Sequence, residues 1–143
     1  MVANPIRKWT EPVSLKPENN PLSGSAEERG RVLTKAVLNT AERLQLNDEE
    51  LGVIIGVDPS GIAQMRRKEL FLKEGAKSFE LAVLLVRLYR SLYALMGGDE
   101  NAMCAWIRVK NSALGDVPPV ERIRRVTGLV DVVAYLDSRR AVV

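Results

Sequence analysis

The sequence predicts an all-α protein. Apolar residues recur at steps of three and four along most of the chain, which is the spacing of one helix face. Capping residues stand in front of several of these segments, and no segment alternates apolar and polar residues for long enough to indicate a strand. We therefore expect three parts: a flexible arm over residues 1–25, a first helical domain over 26–76 and a second helical domain over 77–143.

Composition excludes several classes of functional site. The chain has no histidine and a single cysteine, Cys104. Histidine-based catalytic triads, structural zinc sites and intrachain disulfides are therefore excluded, and no glycine has the spacing of a phosphate-binding loop. We expect no enzyme activity, no cofactor and no metal. The isolated cysteine, with no signal sequence or membrane-spanning segment, predicts a cytoplasmic protein.

The arm and the first helix differ sharply in composition. Residues 1–25 contain prolines at four positions together with Asn19-Asn20 and Ser23-Gly24-Ser25, so we expect a flexible segment. From residue 26 to residue 44, apolar side chains recur at helical spacing with charged residues between them. This pattern predicts an amphipathic helix.

Two further helices with a tight turn between them are predicted from cap signals. Asn47 and, three residues later, Glu50 have the spacing of a capping box. Gly56 ends this helix where a left-handed turn is needed. Asp58 then caps the next helix, and Pro59 occupies its first position. The arrangement is a helix-turn-helix over residues 47–68.

The second helix of this unit carries side chains suited to DNA. They are Ser60, Gln64, Arg66, Arg67 and Lys68. Glutamine can pair with an adenine edge, while arginine, lysine and serine can contact guanine or phosphate. Asp58 opposes this interpretation, because a carboxylate at the leading end of a helix weakens its attraction for phosphate. The alternative is that the basic residues form only a solvated helix end.

Net charge gives the DNA interpretation little support. The chain carries +3, but residues 1–76 hold equal numbers of basic and acidic side chains. The excess therefore lies in residues 77–143, outside the domain expected to bind DNA.

The second half is predicted to contain four helices. A long apolar helix should run from Ser78 to about Met96, followed by one capped by Asp99 that ends near Val109. After a loop over residues 110–117, a short helix should begin at Pro118-Pro119 and end near Val126. The last helix should begin near Thr127. Its inner stripe is Leu129, Val132, Val133 and Leu136.

The second half also carries a set of residues at characteristic positions. They are Ala105-Trp106-Ile107, Asn111, Leu114-Gly115, Pro119-Val120-Glu121, Thr127-Gly128, Val132-Val133 and Tyr135-Leu136. This series resembles the C-terminal signature of the Xre/MbcA/ParS antitoxin family. The resemblance extends over roughly residues 31–140, because the helix-turn-helix and the long helix also stand in the family's order. In one departure, Gly115 is followed by Asp116 where the family loop has a further glycine and a basic residue.

The resemblance implies a type II antitoxin with an Xre-like helix-turn-helix domain and a small C-terminal toxin-binding domain. Its partner would be a RES-domain toxin that consumes NAD, whose active site the C-terminal domain covers. Promoter binding for autoregulation and a homodimer are also implied. By position, the toxin-binding surface falls on the last helix, at Tyr135, Asp137, Arg139 and Arg140. Arginines there suit a cleft that takes a phosphate-bearing cofactor.

Two other interpretations of the same sequence remain open. One is a phage-repressor-like transcription factor whose C-terminal half serves for self-association. The other is an adapter that docks a partner protein and does not bind DNA. A two-fold operator would favour the first, and DNA affinity insensitive to changes at Gln64 and Arg67 would favour the second.

Overall fold

The computed structural model describes residues 24–142, so the arm predicted over 1–25 lies almost wholly outside the described residues. The helices are α1 (Ala26–Arg43), α2 (Asp48–Ile55), α3 (Pro59–Arg66), α4 (Lys77–Leu95), α5 (Glu100–Arg108), α6 (Pro119–Arg122) and α7 (Val126–Val142). A 3-10 turn, Ser112–Leu114, lies between α5 and α6. Among residues 24–142, extended pairing is limited to one isolated bridge between Asn111 and Val117. The all-α prediction is confirmed.

The cap signals form the helix-turn-helix as the sequence predicts. The side chain of Asn47 accepts a hydrogen bond from the amide of Glu50 at 2.8 Å, and the Glu50 carboxylate accepts one from the amide of Asn47 at 3.0 Å. Gly56 has a φ of 73°, and Asp58 caps α3 by accepting from the amide of Gly61 at 2.6 Å. Gly52 lets the turn close tightly, since a Cβ there would lie 2.5 Å from the carbonyl oxygen of Val57.

Helix α4 is the centre of the fold. It packs against α7, α1 and α2, and it also contacts α5. Leu85, Leu88 and Leu92 on this helix are fully buried in a core that draws on both halves of the chain. The helix begins at Lys77 after Ala76, which makes no side-chain cap hydrogen bond, rather than at the predicted Ser78.

The last two helices are joined by a very close contact. The inner stripe predicted for α7 is buried, with Leu129 and Val132 completely inaccessible. Helix α6 ends at Arg122 and α7 begins at Val126, so the short helix is shorter than predicted. The reason lies at Gly128, where a Cβ would stand 1.9 Å from the carbonyl oxygen of Arg122. The end of α6 is folded directly onto the start of α7.

Candidate functional site

The exposed face of α3, together with its C-cap Arg67, holds three of the five residues predicted to contact DNA. Ser60, Gln64 and Arg67 follow one another at steps of four and three, so they share one side of the helix. Ser60 and Arg67 are exposed, and Gln64 is half-buried. Lys68 follows the C-cap in a left-handed conformation with a φ of 62° and is also exposed.

Arg66 is separated from the other four residues. Its guanidinium donates to the Asp48 carboxylate of α2, at 3.0 Å from Nε and 2.6 Å from Nη2. This ion pair turns Arg66 toward the first helix of the unit. Arg67 contacts Glu69 at 3.2 Å, but both of these side chains are more than half exposed. The basic run is thus partly neutralised by its own neighbours.

The N-terminus of α2 carries three consecutive acidic residues, each paired with an arginine from a different element. Asp48 pairs with Arg66 of α3. Glu49 and Glu50 pair with arginines of the second half. Those partners are Arg124, at 2.6 Å from Glu49, and Arg108, at 2.6 Å from Glu50. We call Asp48, Glu49 and Glu50 the acidic triplet.

The two inter-half pairs shift the acidity of their carboxylates. The hydrogen bond from Arg124 holds the pKa of Glu49 below its ordinary value, although desolvation acts in the opposite direction. The pKa of Glu50 is also lowered, chiefly by the hydrogen bond from Arg108 and against the effect of burial. Both carboxylates therefore stay ionised and hold α2 to the second half.

On α7, two of the predicted toxin-binding residues meet at a buried serine. Ser91 of α4 is fully buried, and its hydroxyl donates to the Asp137 carboxylate at 2.9 Å. The same hydroxyl oxygen accepts from Nη1 of Arg140 at 3.2 Å. Arg87 of α4 also pairs with Asp137. Asp137 and Arg140 are therefore tied to α4 along the inner edge of α7.

The other two predicted residues lie on a different side of α7. Tyr135 and Arg139 are four residues apart and so share one side of the helix. Tyr135 is half-buried against the core, whereas Arg139 is exposed. The structure thus divides the four predicted residues between two sides of the helix.

Comparison with protein families decides what kind of protein carries these surfaces. Residues 23–87 match the model described as the antitoxin Xre-like helix-turn-helix domain. Residues 91–141 match the model described as the antitoxin Xre/MbcA/ParS C-terminal toxin-binding domain. The chain belongs to the Xre-type antitoxins. Compared with curated proteins, it shows no significant match to any.

The family match places the toxin-binding domain of this antitoxin over the last turn of α4 together with α5, α6 and α7. The junction between the two matched regions, at residues 88–90, falls inside α4. Helix α4 therefore contributes to both parts. The boundary expected between residues 76 and 77 stays a prediction.

Helix α7 of the antitoxin also presents an apolar stripe that the sequence analysis missed. Val126 and Val130 are 58% and 47% exposed, and Ala134 continues the same line toward the end of the helix. The sequence does show these three apolar residues at four-residue steps, on a different side of the helix from the inner stripe. The stripe was missed because single exposed valines are common on protein surfaces and only burial shows which apolar face of a helix is left over.

Other kinds of site find no support in the described part of the antitoxin. Between residues 24 and 142, no group of acidic and sulfur-containing side chains is arranged to hold a metal ion. Over the same residues, no helix combines the length and apolar character needed to cross a membrane.

Proposed function

We propose that this antitoxin neutralises a RES-domain toxin that consumes NAD by covering the toxin's active site with α7. The observation that carries the proposal is the exposed stripe of Val126, Val130 and Ala134 on a helix whose inner stripe is already buried. A helix with a spare apolar face beside charged residues is suited to docking on another protein. In this proposal the chain itself has no catalytic role.

The four predicted toxin-binding residues take different parts in this proposal. Arg139 is exposed and lies with Tyr135 on the side of α7 away from Val130, so in this proposal a cleft that takes a phosphate-bearing cofactor surrounds the end of the helix to reach it. Asp137 and Arg140 border the contact and fix the end of α7 on α4 through Ser91. We therefore expect the loss of Arg139 to weaken toxin binding without loosening α7.

The test is co-expression with the RES-domain toxin proposed as the partner. Val130→Asp should abolish neutralisation, because it places a charge in the centre of the apolar stripe. Val53→Asp is the matched control, since Val53 lies on α2 and is 43% exposed, close to the 47% of Val130. Growth and cellular NAD are measured after toxin induction. Full protection by Val130→Asp, with its helix content unchanged, would disprove α7 as the docking helix.

We also propose that α3 contacts promoter DNA and that a homodimer places two copies of α3 on a two-fold operator. The shared exposed face of Ser60, Gln64 and Arg67 supports this proposal. The acidic triplet and Asp58 stand at the helix ends that would approach phosphates, so we expect few phosphate contacts and a shallow dependence of affinity on salt.

Binding to the DNA upstream of the antitoxin gene tests this second proposal. Replacing Gln64 and Arg67 together with Ala should weaken binding about tenfold or more, since a good base contact is worth about 1–3 kcal/mol. Lys35→Ala, an exposed position on α1, is the control. Unchanged affinity would instead favour the adapter. Specific DNA binding without any toxin neutralisation would favour the phage-repressor-like transcription factor.

A further inference from the structure

A groove runs between α1 and α4 on a surface separate from both the exposed face of α3 and the valine stripe of α7. It encloses a cavity of about 370 Å³, which is room for a few side chains. Its apolar lining comes from one face of each helix. These residues are Val32, Leu33 and Ala36 on α1 and Phe79, Val83 and Val86 on α4.

Part of the apolar lining is open to solvent. Val32 is 45% exposed and Val83 is 44% exposed, although both are flanked by partly buried apolar neighbours. The lining residues recur at steps of three and four on each helix, so the groove runs along the helix pair. Such a groove accepts the apolar face of another helix, whose anchors have the same spacing.

The rim of the groove is basic, but two of its arginines are already paired. Arg29 donates to Glu74 at 2.6 and 2.8 Å. Arg87 pairs with Asp137 of α7. These two positions are therefore close to neutral.

The other two rim arginines keep their charge. Arg90 forms no ion pair with any residue between 24 and 142, and Arg140 bonds to the neutral hydroxyl of Ser91. Both arginines line the same groove. The groove is thus an apolar strip with uncompensated positive charge at its edge, which is complementary to an amphipathic segment bearing acidic residues.

The charge of each candidate ligand indicates whether it can bind in the groove. Residues 1–23 of this chain contain more lysine and arginine than aspartate and glutamate, so this segment would add positive charge to the rim. A second copy carries a net charge of +3, and its acidic triplet is already paired with arginines. Neither brings the excess of negative charge that Arg90 and Arg140 favour.

We propose that this groove binds an acidic amphipathic helix of the toxin, with its apolar face between α1 and α4 and its carboxylates on Arg90 and Arg140. The inference rests on the proposed function and extends it. Arg140 belongs to α7, so the groove continues from the helix proposed to cover the toxin's active site. One toxin molecule contacts both surfaces.

The first test uses the full chain and a designed, fluorescently labelled helical peptide of about 18 residues, long enough to form a helix. The peptide carries leucine at steps of three and four, flanked by glutamate, and a control peptide has lysine in place of every glutamate. The glutamate peptide should bind at least about tenfold more tightly, a difference of about 1.4 kcal/mol. Equal affinities for the two peptides would overturn the proposal.

Substitutions in the groove test whether the peptide binds there. Val83→Asp should weaken the glutamate peptide about tenfold or more, whereas Val53→Asp, with similar exposure on α2, should not. Arg90→Glu keeps the apolar lining and reverses one rim charge, so it should shift the preference toward the lysine peptide. An unchanged preference in Arg90→Glu would show that the rim does not select the ligand, and the proposal would fail.

The toxin itself distinguishes this inference from the proposed function. Val83→Asp should lower the affinity for the co-expressed toxin, and Val130→Asp should abolish neutralisation. If Val130→Asp abolishes neutralisation but Val83→Asp leaves toxin affinity unchanged, the groove inference is wrong and the proposed function stands. Peptide binding by a chain that neutralises no toxin would rule out the toxin as the occupant.

Discussion

Arg108, the last residue of α5, donates two hydrogen bonds to the carboxylate of Glu50 in α2. The distances are 2.6 Å from Nη1 and 3.0 Å from Nη2. Its Nη2 also donates to the backbone oxygen of Gln45 at 2.8 Å. Only 12% of the Glu50 side chain is exposed, so little water can replace the arginine. This contact joins the helix-turn-helix to the toxin-binding domain.

Arg108→Ala should destabilise the whole protein, because it leaves the Glu50 carboxylate with its charge poorly solvated. Arg108 is 41% exposed, so we expect a loss of about 1–2 kcal/mol in the free energy of unfolding, toward the lower end of the range for a charged hydrogen bond. Urea unfolding measures it. Arg43→Ala, which removes a well-exposed pair with Glu100, is the control and should change much less. Equal effects of the two substitutions would contradict the role given to Glu50.

The Glu50 pair also predicts how stability depends on pH. The pKa of Glu50 is lowered from its ordinary value of 4.5 in the folded protein. A lowered folded pKa means that the stabilisation is present above the unfolded pKa and is lost as pH falls through the folded pKa. Stability should therefore drop below about pH 4.5.

Other carboxylates also contribute to the loss of stability at low pH. They include Glu49 and Glu74, whose pKa values are likewise lowered by hydrogen bonds from arginine. The comparison that isolates Glu50 is therefore between the native chain and Glu50→Gln. The variant should be less stable near neutral pH, and the difference should shrink as the pH falls below about 4.5 and through the lowered pKa of Glu50. A gap that is constant across this range would show that the ion pair does not titrate as inferred.

Gly128→Ala should disrupt the packing of α7 against the end of α6. A Cβ would lie 1.9 Å from the carbonyl oxygen of Arg122, and backbone atoms cannot move aside as the end of a side chain can. We expect a loss of about 3 kcal/mol in the free energy of unfolding, at the upper end for overpacking.

Gly97→Ala provides the comparison for this prediction. Gly97 has a φ of 61°, but a Cβ added there would meet no atom within 4 Å beyond its chain neighbours. Its substitution should therefore cost only the backbone strain of about 1–2 kcal/mol. If both glycine substitutions cost the same, the close contact of Gly128 is not what the helix junction depends on. Thermal and urea unfolding of both variants measure the difference.

Ser91→Ala should loosen the C-terminal end of α7. The serine hydroxyl is fully buried and bonds to both Asp137 and Arg140, so its removal should cost about 1–2 kcal/mol. Amide hydrogen exchange should increase in residues 137–142. Ser138→Ala is the control on the same helix, because its hydroxyl is exposed and donates to the backbone oxygen of Tyr135, within α7 itself. Unaltered exchange in Ser91→Ala would show that this serine does not hold α7 in place.

Most of the helices could be predicted from the sequence, because interactions between residues close together in the chain determine them. Cap residues such as Asn47 and Asp58 act on amides three residues away, and Gly56 needs only its own left-handed conformation, so these signals are complete within a few positions. The inner stripe of α7 was equally readable, because helical spacing alone assigns its residues to one face. The residues that marked the antitoxin family were likewise visible without coordinates.

Tertiary structure alone decided which surfaces remain available. Glu50 and Arg108 are 58 positions apart, and no local rule predicts that these two charges meet. Likewise, the sequence grouped Asp137 and Arg140 with Arg139, but the packing of α7 on α4 ties the first two to Ser91 and leaves Arg139 exposed. Sequence spacing fixes which residues share a helix face, whereas the neighbours that cover or expose each face depend on contacts distant along the chain.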